Sequence, residues 1–363
     1  MSGAVSRQTQ AIIHADAILY NFNRVKSLSP DSGAVAVIKA DAYGHGAVSV
    51  ARILKEHADC FAVAIIEEAL TLRDAGITKP IIILEGPHQA RECALAKHQQ
   101  CILVVHSFHQ LAWLEASPPA DRPVIWLKVD TGMHRLGFAP TDVAHVLKKY
   151  ASLFTRDSVI MSHLAHADDP DCDFTKEQIA RFDDVQALTD MTSSLANSPG
   201  TLAWPDARSH WNRIGIALYG GAPMASRRAV DDGLRPAMTL RAAVMAVRTV
   251  KAGESVGYGQ TFIASRDTVL ATVGIGYADG YPRHCPNGTP VAVNGQQATL
   301  AGRVSMDMIT IDVTDIGPVK PGDPVELWGN TISIDDVAAA ADTIAYELMT
   351  RVSARVPRIV RHV

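Results

Sequence analysis

Ala34-Val-Ala-Val-Ile-Lys39-Ala-Asp-Ala-Tyr43-Gly-His-Gly46 begins as an unbroken apolar run and then turns polar. Residues 34–38 show no polar alternation, so they read as a strand buried on both faces, as in a parallel sheet covered by helices. A lysine follows directly. Unpaired lysines are rarely fully buried. One held in an apolar site has a lowered pKa and acts as an amine nucleophile, the group that Schiff-base chemistry requires. A lysine that only snorkels from a strand end fits the same residues. On this stretch alone both readings stand.

Similar runs recur downstream. Residues 60–65, 80–84, 101–105, 124–129 and 159–161 are apolar, and 193–196 and 212–218 are weaker candidates. Helical patterns lie between them. Ala47, Val50, Ala51 and Leu54 fall at i, i+3, i+4 and i+7, as do Val143, Val146, Leu147 and Tyr150. Gly76 stands where a helix C-cap belongs, and Thr175-Lys-Glu-Gln178 has the spacing of a capping box. Eight strand–helix units in roughly 220 residues predict a (β/α)8 TIM-like barrel. A doubly wound sheet would need G-x-G-x-x-G after its first strand. Gly274-Ile-Gly276-Tyr-Ala-Asp-Gly280 misses that spacing by one residue and comes late in the chain.

Near Gly233 the texture changes to β-branched runs separated by glycine turns, including Asn294-Gly295, a strong hairpin signal. One alanine-rich helix is expected over 334–341, and Pro118-Pro119 reads as a surface turn. The expected division is a barrel over residues 10–233 and a mainly β domain over 234–363, making an α/β chain of 363 residues with 47% hydrophobic content. A net charge of -4, with both signs interspersed, gives no basic stripe for nucleic acid, so a small molecule or a second copy of the chain is the expected partner. Five cysteines without a C-x-x-C pair fit free thiols in a reducing compartment. The polar residues 1–10 lack the apolar core of a signal peptide, and no run approaches the roughly 20 apolar residues of a membrane helix. A cytoplasmic protein is expected.

Barrels place their chemistry at the C-terminal ends of the strands. Lys39, Lys128, Asp130, His163, Asn197, Ser198 and the Arg213-Ile-Gly215-Ile216 segment all fall there. Singly, each fits a strand-end residue meeting solvent; together they mark one rim. His163-x-x-His166-x-Asp168-Asp169 offers metal-ligand types, but His106-x-x-His109 is a thin second cluster, and no metal is expected.

The segment Lys39–Gly46 resembles the cofactor-lysine motif of the alanine racemases, PLP-dependent enzymes with a barrel followed by a β domain. Further stretches are similar: Val129-Asp-Thr-Gly-Met133, Ala196-Asn-Ser198, Arg213-Ile-Gly-Ile-Ala-Leu-Tyr-Gly220, Gly257-Tyr258-Gly259, Gly274–Gly280, Gly302-Arg-Val-Ser-Met306-Asp307, Tyr346-Glu347 and Arg355-Val-Pro-Arg358. Together they cover nearly the whole chain.

The resemblance implies that Lys39 carries pyridoxal 5'-phosphate covalently. It implies that Tyr43, Ser198, Gly215, Ile216 and Tyr346 hold the phosphate, and that Arg213, backed by His163, faces the pyridine nitrogen. Arg135 would contact the cofactor's phenolic oxygen and the substrate carboxylate, and Met306 of a partner subunit would offer that carboxylate a backbone N–H. Lys128 matches a lysine carbamylated in some members, and Tyr277, Arg303 and Asp168 match residues of the substrate entryway. Tyr258 would be the second base, contributed across a homodimer. Racemisation removes the α-proton from one face and returns one to the other, which two fixed bases do directly; each well-matched base contributes roughly 10²–10⁴-fold. A tyrosine titrates near 10 unless cations lower it, and the resemblance places His163 and Arg213 close by. An arginine opposite the pyridine nitrogen, always charged and donor-only, leaves that nitrogen unprotonated and restrains side reactions. The expected activity is interconversion of L- and D-alanine, for peptidoglycan supply or for alanine catabolism. The alternatives are a racemase of another small amino acid such as serine, a related PLP-dependent amino-acid decarboxylase, and a non-catalytic PLP carrier, which lacks a β domain.

Overall fold

A computed structural model describes residues 7–362, so the first six residues of the polar opening lie outside it. Contacts divide the chain into two units. One comprises Leu19–Leu218 and Ala222–Leu234; the other joins the residues through Ile18 to Tyr219–Gly221 and everything from Arg235 onward.

In the first unit, all the expected runs form strands. After β1 (Gln10–His14), which belongs to the other unit, come β2 (Gly33–Val37), β3 (Cys60–Val63), β4 (Ile81–Ile83), β5 (Cys101–Val105), β6 (Ile125–Lys128), β7 (Val159–Met161), β8 (Thr192–Ser194) and β9 (Trp211–Ile214). They form one parallel sheet in the order β8-β7-β6-β5-β4-β3-β2-β9. Between β8 and β9, Ser194 Oγ donates to Trp211 O at 2.8 Å and Arg213 N to Ala196 O at 3.0 Å, which nearly closes the barrel. The strands are buried on both faces, which is why they read as continuous apolar runs. The helix Ala47–Leu54 buries Val50, Ala51 and Leu54 as its spacing predicts, and Pro140–Lys149 buries Val143 and Val146. Gly76, at φ +79°, follows the helix Ile66–Asp74 and donates its N–H to Arg73 O at 2.9 Å.

One local expectation fails. The helix near Thr175 starts earlier, at Asp173, and the Cys172 side chain makes no capping bond. Thr175 and Gln178 are fully buried and bond elsewhere, so their spacing does not mark a capping box.

The second unit is mainly antiparallel. It contains β10 (Met238–Val250), β11 (Ser255–Val256), β12 (Phe262–Ile263), β13 (Thr268–Val273), β14 (Pro290–Val293), β15 (Gln296–Leu300), β16 (Ile309–Asp312), β17 (Pro324–Trp328) and β18 (Arg358–Arg361). The order β13-β16-β15-β14-β17-β10, with β10 pairing back to β13, forms a ring. β10 serves both neighbours because its register shifts at Leu240/Arg241 and Val244/Ala246, bulges that bend the strand. Asn294 and Gly295, at φ +51° and +77°, form the two-residue turn between β14 and β15, as their sequence predicts. The expected barrel began at residue 10, yet β1 pairs antiparallel with β10 and parallel with β18. An apolar strand reads alike whichever sheet receives it, so its sequence held no hint of this partner. The small β11–β12 ladder brackets Gly257-Tyr258-Gly259, and Val256 and Phe262 anchor it on Val250, Leu270 and Ala301.

Candidate active site

The chain after β2 takes an uncommon path. Ala40, Asp41, Ala42 and Tyr43 all adopt left-handed helical backbone, with φ of 52°, 52°, 53° and 53°. Such a turn costs non-glycine residues roughly 1–2 kcal/mol each, so its surroundings must impose it. Ala42 N donates to Ile38 O at 2.9 Å. Glu68 takes the Ala40 N–H at 2.6 Å on one oxygen and the Ala64 N–H at 2.7 Å on the other, tying the turn to the end of β3. Asp41 Oδ1 accepts from Ala47 N at 2.7 Å, at the start of the next helix. Strain of this kind gathers at functional sites. Lys39 stands at its entrance. Burial pulls its amine below the usual range, the Arg135 charge pushes the same way, and Glu85 and Glu68 oppose them.

Tyr43, at the end of the turn, is buried, and burial pushes its phenol up to about 12. Its ring reaches Gly215: a Cβ there would lie 2.9 Å from Tyr43 Oη and 3.9 Å from Ser198 Oγ. Ser198 Oγ accepts from Gly215 N at 2.8 Å and from Ala217 N at 3.3 Å. Asn197 caps the helix Ser198–Ala203 by accepting from Gly200 N at 3.0 Å. Two hydroxyls, a glycine without room for a side chain and the start of the short helix Ile216–Tyr219 thus converge. This group fits a phosphate, since helix starts and clustered N–H donors favour anions.

Arg213 is buried on β9. It donates to Ser194 O at 3.0 Å, Ser194 Oγ at 2.6 Å, Ser162 O at 2.6 Å, Leu195 O at 3.0 Å and His163 Nδ1 at 3.2 Å. Among the described residues, these partners include no carboxylate, and burial draws the guanidinium down to about 10. A guanidinium only donates, so His163 Nδ1 accepts and the imidazole carries its proton on Nε2. Burial first, then the Arg213, Lys128, Arg135 and Lys39 charges, hold His163 well below the imidazole range. Lys128, buried at the end of β6, falls to about 8 through burial and then the charges of Arg213, Arg135 and Lys39, against Asp130. Arg135 is exposed on the loop that leaves β6. His163 and His166 part company: His166 Nδ1 lies 3.2 Å from Cys172 Sγ. Among the described residues no His/Cys/Asp/Glu group of three or more is arranged to hold a metal ion.

Lys39, Tyr43, Lys128, Arg135, His163, Ser198, Arg213, Gly215 and Ile216 therefore share one unit, while Tyr258, Met306 and Tyr346 belong to the other. Tyr258 is 70% exposed, on a turn whose flanking glycines have φ of +74° and +71°, and Met306 is 53% exposed. Tyr346 lies in the first turn of the helix Ala345–Arg351. Sequence reading missed Glu68, Ser162, Ser194 and Gln178. Only Gln178 gave a signal, which was read as a cap.

The alanine racemase N-terminal domain family matches residues 13–223, and the alanine racemase C-terminal domain family matches 237–360. The chain belongs to the alanine racemase family. It is 58% identical to an alanine racemase of Alteromonas mediterranea, covering 99% of this chain and 100% of that one. It is 46% identical to a catabolic alanine racemase of Pseudomonas putida, over 97% and 98% of the two chains. Its structure resembles the crystal structure of the biosynthetic alanine racemase of Pseudomonas aeruginosa with a TM-score of 0.94 and 44% identity, over 98% and 100% of the two chains. Among the described residues no helix is long and apolar enough to cross a membrane.

Proposed function

We propose that this chain interconverts L- and D-alanine with pyridoxal 5'-phosphate. The observation that carries the reading is the Lys39 amine, depressed by burial and by Arg135, in one barrel mouth with the Tyr43–Ser198–Gly215 group and Arg213. That group fits a phosphate monoester, and the neutral partners of Arg213 leave its charge for a ligand. Lys39 would hold the cofactor; Tyr43, Ser198, Gly215, Ile216 and Tyr346 its phosphate; Arg213, supported by His163, its ring nitrogen. When bound, pyridoxal phosphate supplies the electron-withdrawing ring that acidifies the substrate's α-proton.

The chain's own residues then do the following. Lys39 Nζ, freed as a neutral amine, takes or returns the α-proton on one face. Tyr258 Oη of a second copy does so on the other face; its exposure on a projecting turn between two glycines supports that reach. Arg135 orients the substrate carboxylate, and Met306 N of the second copy completes its hydrogen bonding. Lys128, once carbamylated, would brace Arg135 through its negative charge. The active form is thus a homodimer with shared sites. Relatives named for biosynthesis and for catabolism resemble the chain comparably, so both roles fit.

The test is purified protein with L-alanine and enzymatic measurement of D-alanine. Production of D-alanine, lost in Lys39→Ala together with the borohydride-trapped cofactor, is expected. A yellow protein that forms no D-alanine would reject the racemase and favour a decarboxylase or a carrier.

A further inference from the structure

We infer that Gln178 is a positioning residue that locks together the loop bearing Arg135 and the loop bearing His163, the partner of Arg213. The inference rests on the proposed racemase reading. Gln178 lies on the helix Asp173–Gln186 and is fully buried, an uncommon fate for a glutamine. Every polar atom of its amide is used. Nε2 donates to His163 O at 3.2 Å and to Thr131 Oγ1 at 3.3 Å, and Oε1 accepts from Ala165 N at 2.8 Å. Thr131 opens the loop after β6 that carries Arg135. His163 and Ala165 lie on the loop after β7.

The links continue to the buried cation. Thr131 Oγ1 lies 2.8 Å from Ser162 Oγ, and Ser162 O accepts from Arg213 Nη2, which also meets His163 Nδ1. Neighbouring positions on the same helix reinforce the clamp: Thr175 Oγ1 donates to His166 O at 3.0 Å, and Arg181 Nη1 to Thr131 O at 3.1 Å. The Gln178 amide therefore joins, through one rigid group, the backbone that aims His163 at Arg213 and the backbone that launches Arg135. Its amide bonds to Thr131, His163 and Ala165, so it would act through them. A hydrocarbon side chain in its place would leave the Ala165 N–H without its acceptor and the His163 carbonyl without this donor.

The test compares Gln178→Leu, Thr131→Val and their double variant with the wild-type chain, well below each melting temperature. Loss of the clamp is expected to lower kcat by on the order of 10²-fold, the scale of a displacement of about 1 Å at a reacting group. The single effects are expected to be strongly non-additive, because the two changes share the Gln178–Thr131 link that joins the loops. Full-length chain stripped of cofactor should bind pyridoxal phosphate about tenfold more weakly in each variant, the equivalent of one net hydrogen bond. If Gln178→Leu does not fold, Gln178→Glu takes its place: ionised, it keeps the acceptor for Ala165 N–H and loses both donors. A lowered melting temperature with kcat and cofactor affinity within twofold of wild type would reduce Gln178 to a packing residue and overturn the inference, as would additive effects on kcat. If the wild-type chain does not racemise alanine, the functional reading falls by itself, and the cofactor titration still decides the role of Gln178.

Discussion

Replacing Lys128 by methionine should stabilise the cofactor-stripped chain at neutral pH. Lys128 is buried at the end of β6, and its ammonium faces Arg213, Arg135 and Lys39, with the weaker attraction of Asp130 against them. Burial first, then those charges, take its pKa from 10.5 to about 8. A difference of that size corresponds to about 3 kcal/mol of cost for holding the charged form in the folded state. In the unfolded chain the amine keeps its proton until about 10.5. Between these values the unfolded state binds more protons, so stability rises with pH there. The cost is complete below pH 8 and fades as the pH climbs toward 10.5. Methionine matches the stem's apolar packing and removes the charge. In urea unfolding at equal m-value, in buffer free of carbon dioxide, Lys128→Met should exceed wild type by up to ~3 kcal/mol at pH 7. The advantage should shrink steadily toward pH 10. Added bicarbonate supplies a second arm. Carbon dioxide adds to the neutral amine, releases a proton and leaves a carbamate, whose negative charge would face Arg135 and Arg213. Wild type should then gain stability and the variant should not. A stability difference that stays constant from pH 7 to pH 10 would refute the account of Lys128 as an uncompensated buried cation.

Gly215→Ala places a Cβ 2.9 Å from Tyr43 Oη. Overpacking of about 1–3 kcal/mol should weaken pyridoxal phosphate binding by about 5- to 150-fold in an absorbance titration, and unchanged affinity would remove Gly215 from the phosphate group. His163 is held well below the imidazole range by burial and then by four cations. The unfolded chain alone takes up its proton as pH falls below about 6.5, so His163→Asn should flatten acid destabilisation between pH 6.5 and 5 by up to about 1.4 kcal/mol per pH unit; equal slopes would count against a neutral His163. Ala40 is exposed at φ 52°. Ala40→Gly should relieve about 1–2 kcal/mol of left-handed strain and lose about 0.4–1 kcal/mol through a freer unfolded chain, for a net gain in the urea midpoint; a loss would mean that the turn is not strained there.

The barrel was legible because parallel strands covered on both faces leave continuous apolar runs. Its faintest strands were faint because polar residues interrupt them, some of them at the site. β8 holds Ser193, which meets His210 Nδ1 at 2.9 Å, and Ser194, which accepts from Arg213; β9 holds Asn212 and Arg213 themselves. Ser194 and Arg213 face the site, while Ser193 and Asn212 bond to His210 and Ser209 at the strands' opposite end; local pattern yields where polar residues enter a strand. The left-handed turn was not legible. Ala40-Asp-Ala-Tyr43 contains no glycine, and the Glu68 carboxylate that ties it to the end of β3 lies far along the chain. Gln178 was misread for a related reason: a Thr-x-x-Gln spacing is common to a cap and to a buried stripe, and only the three-dimensional positions of Thr131 and His163 separate them.

The charges of the mouth explain what kind of molecule it awaits. Lys39, Lys128, Arg135 and Arg213 lie close enough to depress one another or His163. The acids that act on them are already engaged. Glu68 is taken by two backbone N–H groups. Asp130 Oδ1 accepts from Gly132 N and His134 N, and its Oδ2 faces His134 Nδ1 at 3.3 Å. Glu85 meets His88 Nε2 at 3.2 Å. Four cations with so little free countercharge make the folded chain costly by itself and receptive to anions. In the proposed reading, a phosphate monoester seated by Ser198 and Gly215, followed by a substrate carboxylate, would supply the missing negative charge. Burial first, and then the Arg135 charge, lower the hold of Lys39 on its proton before either arrives, so the field that attracts the ligands also favours the amine that would act on them.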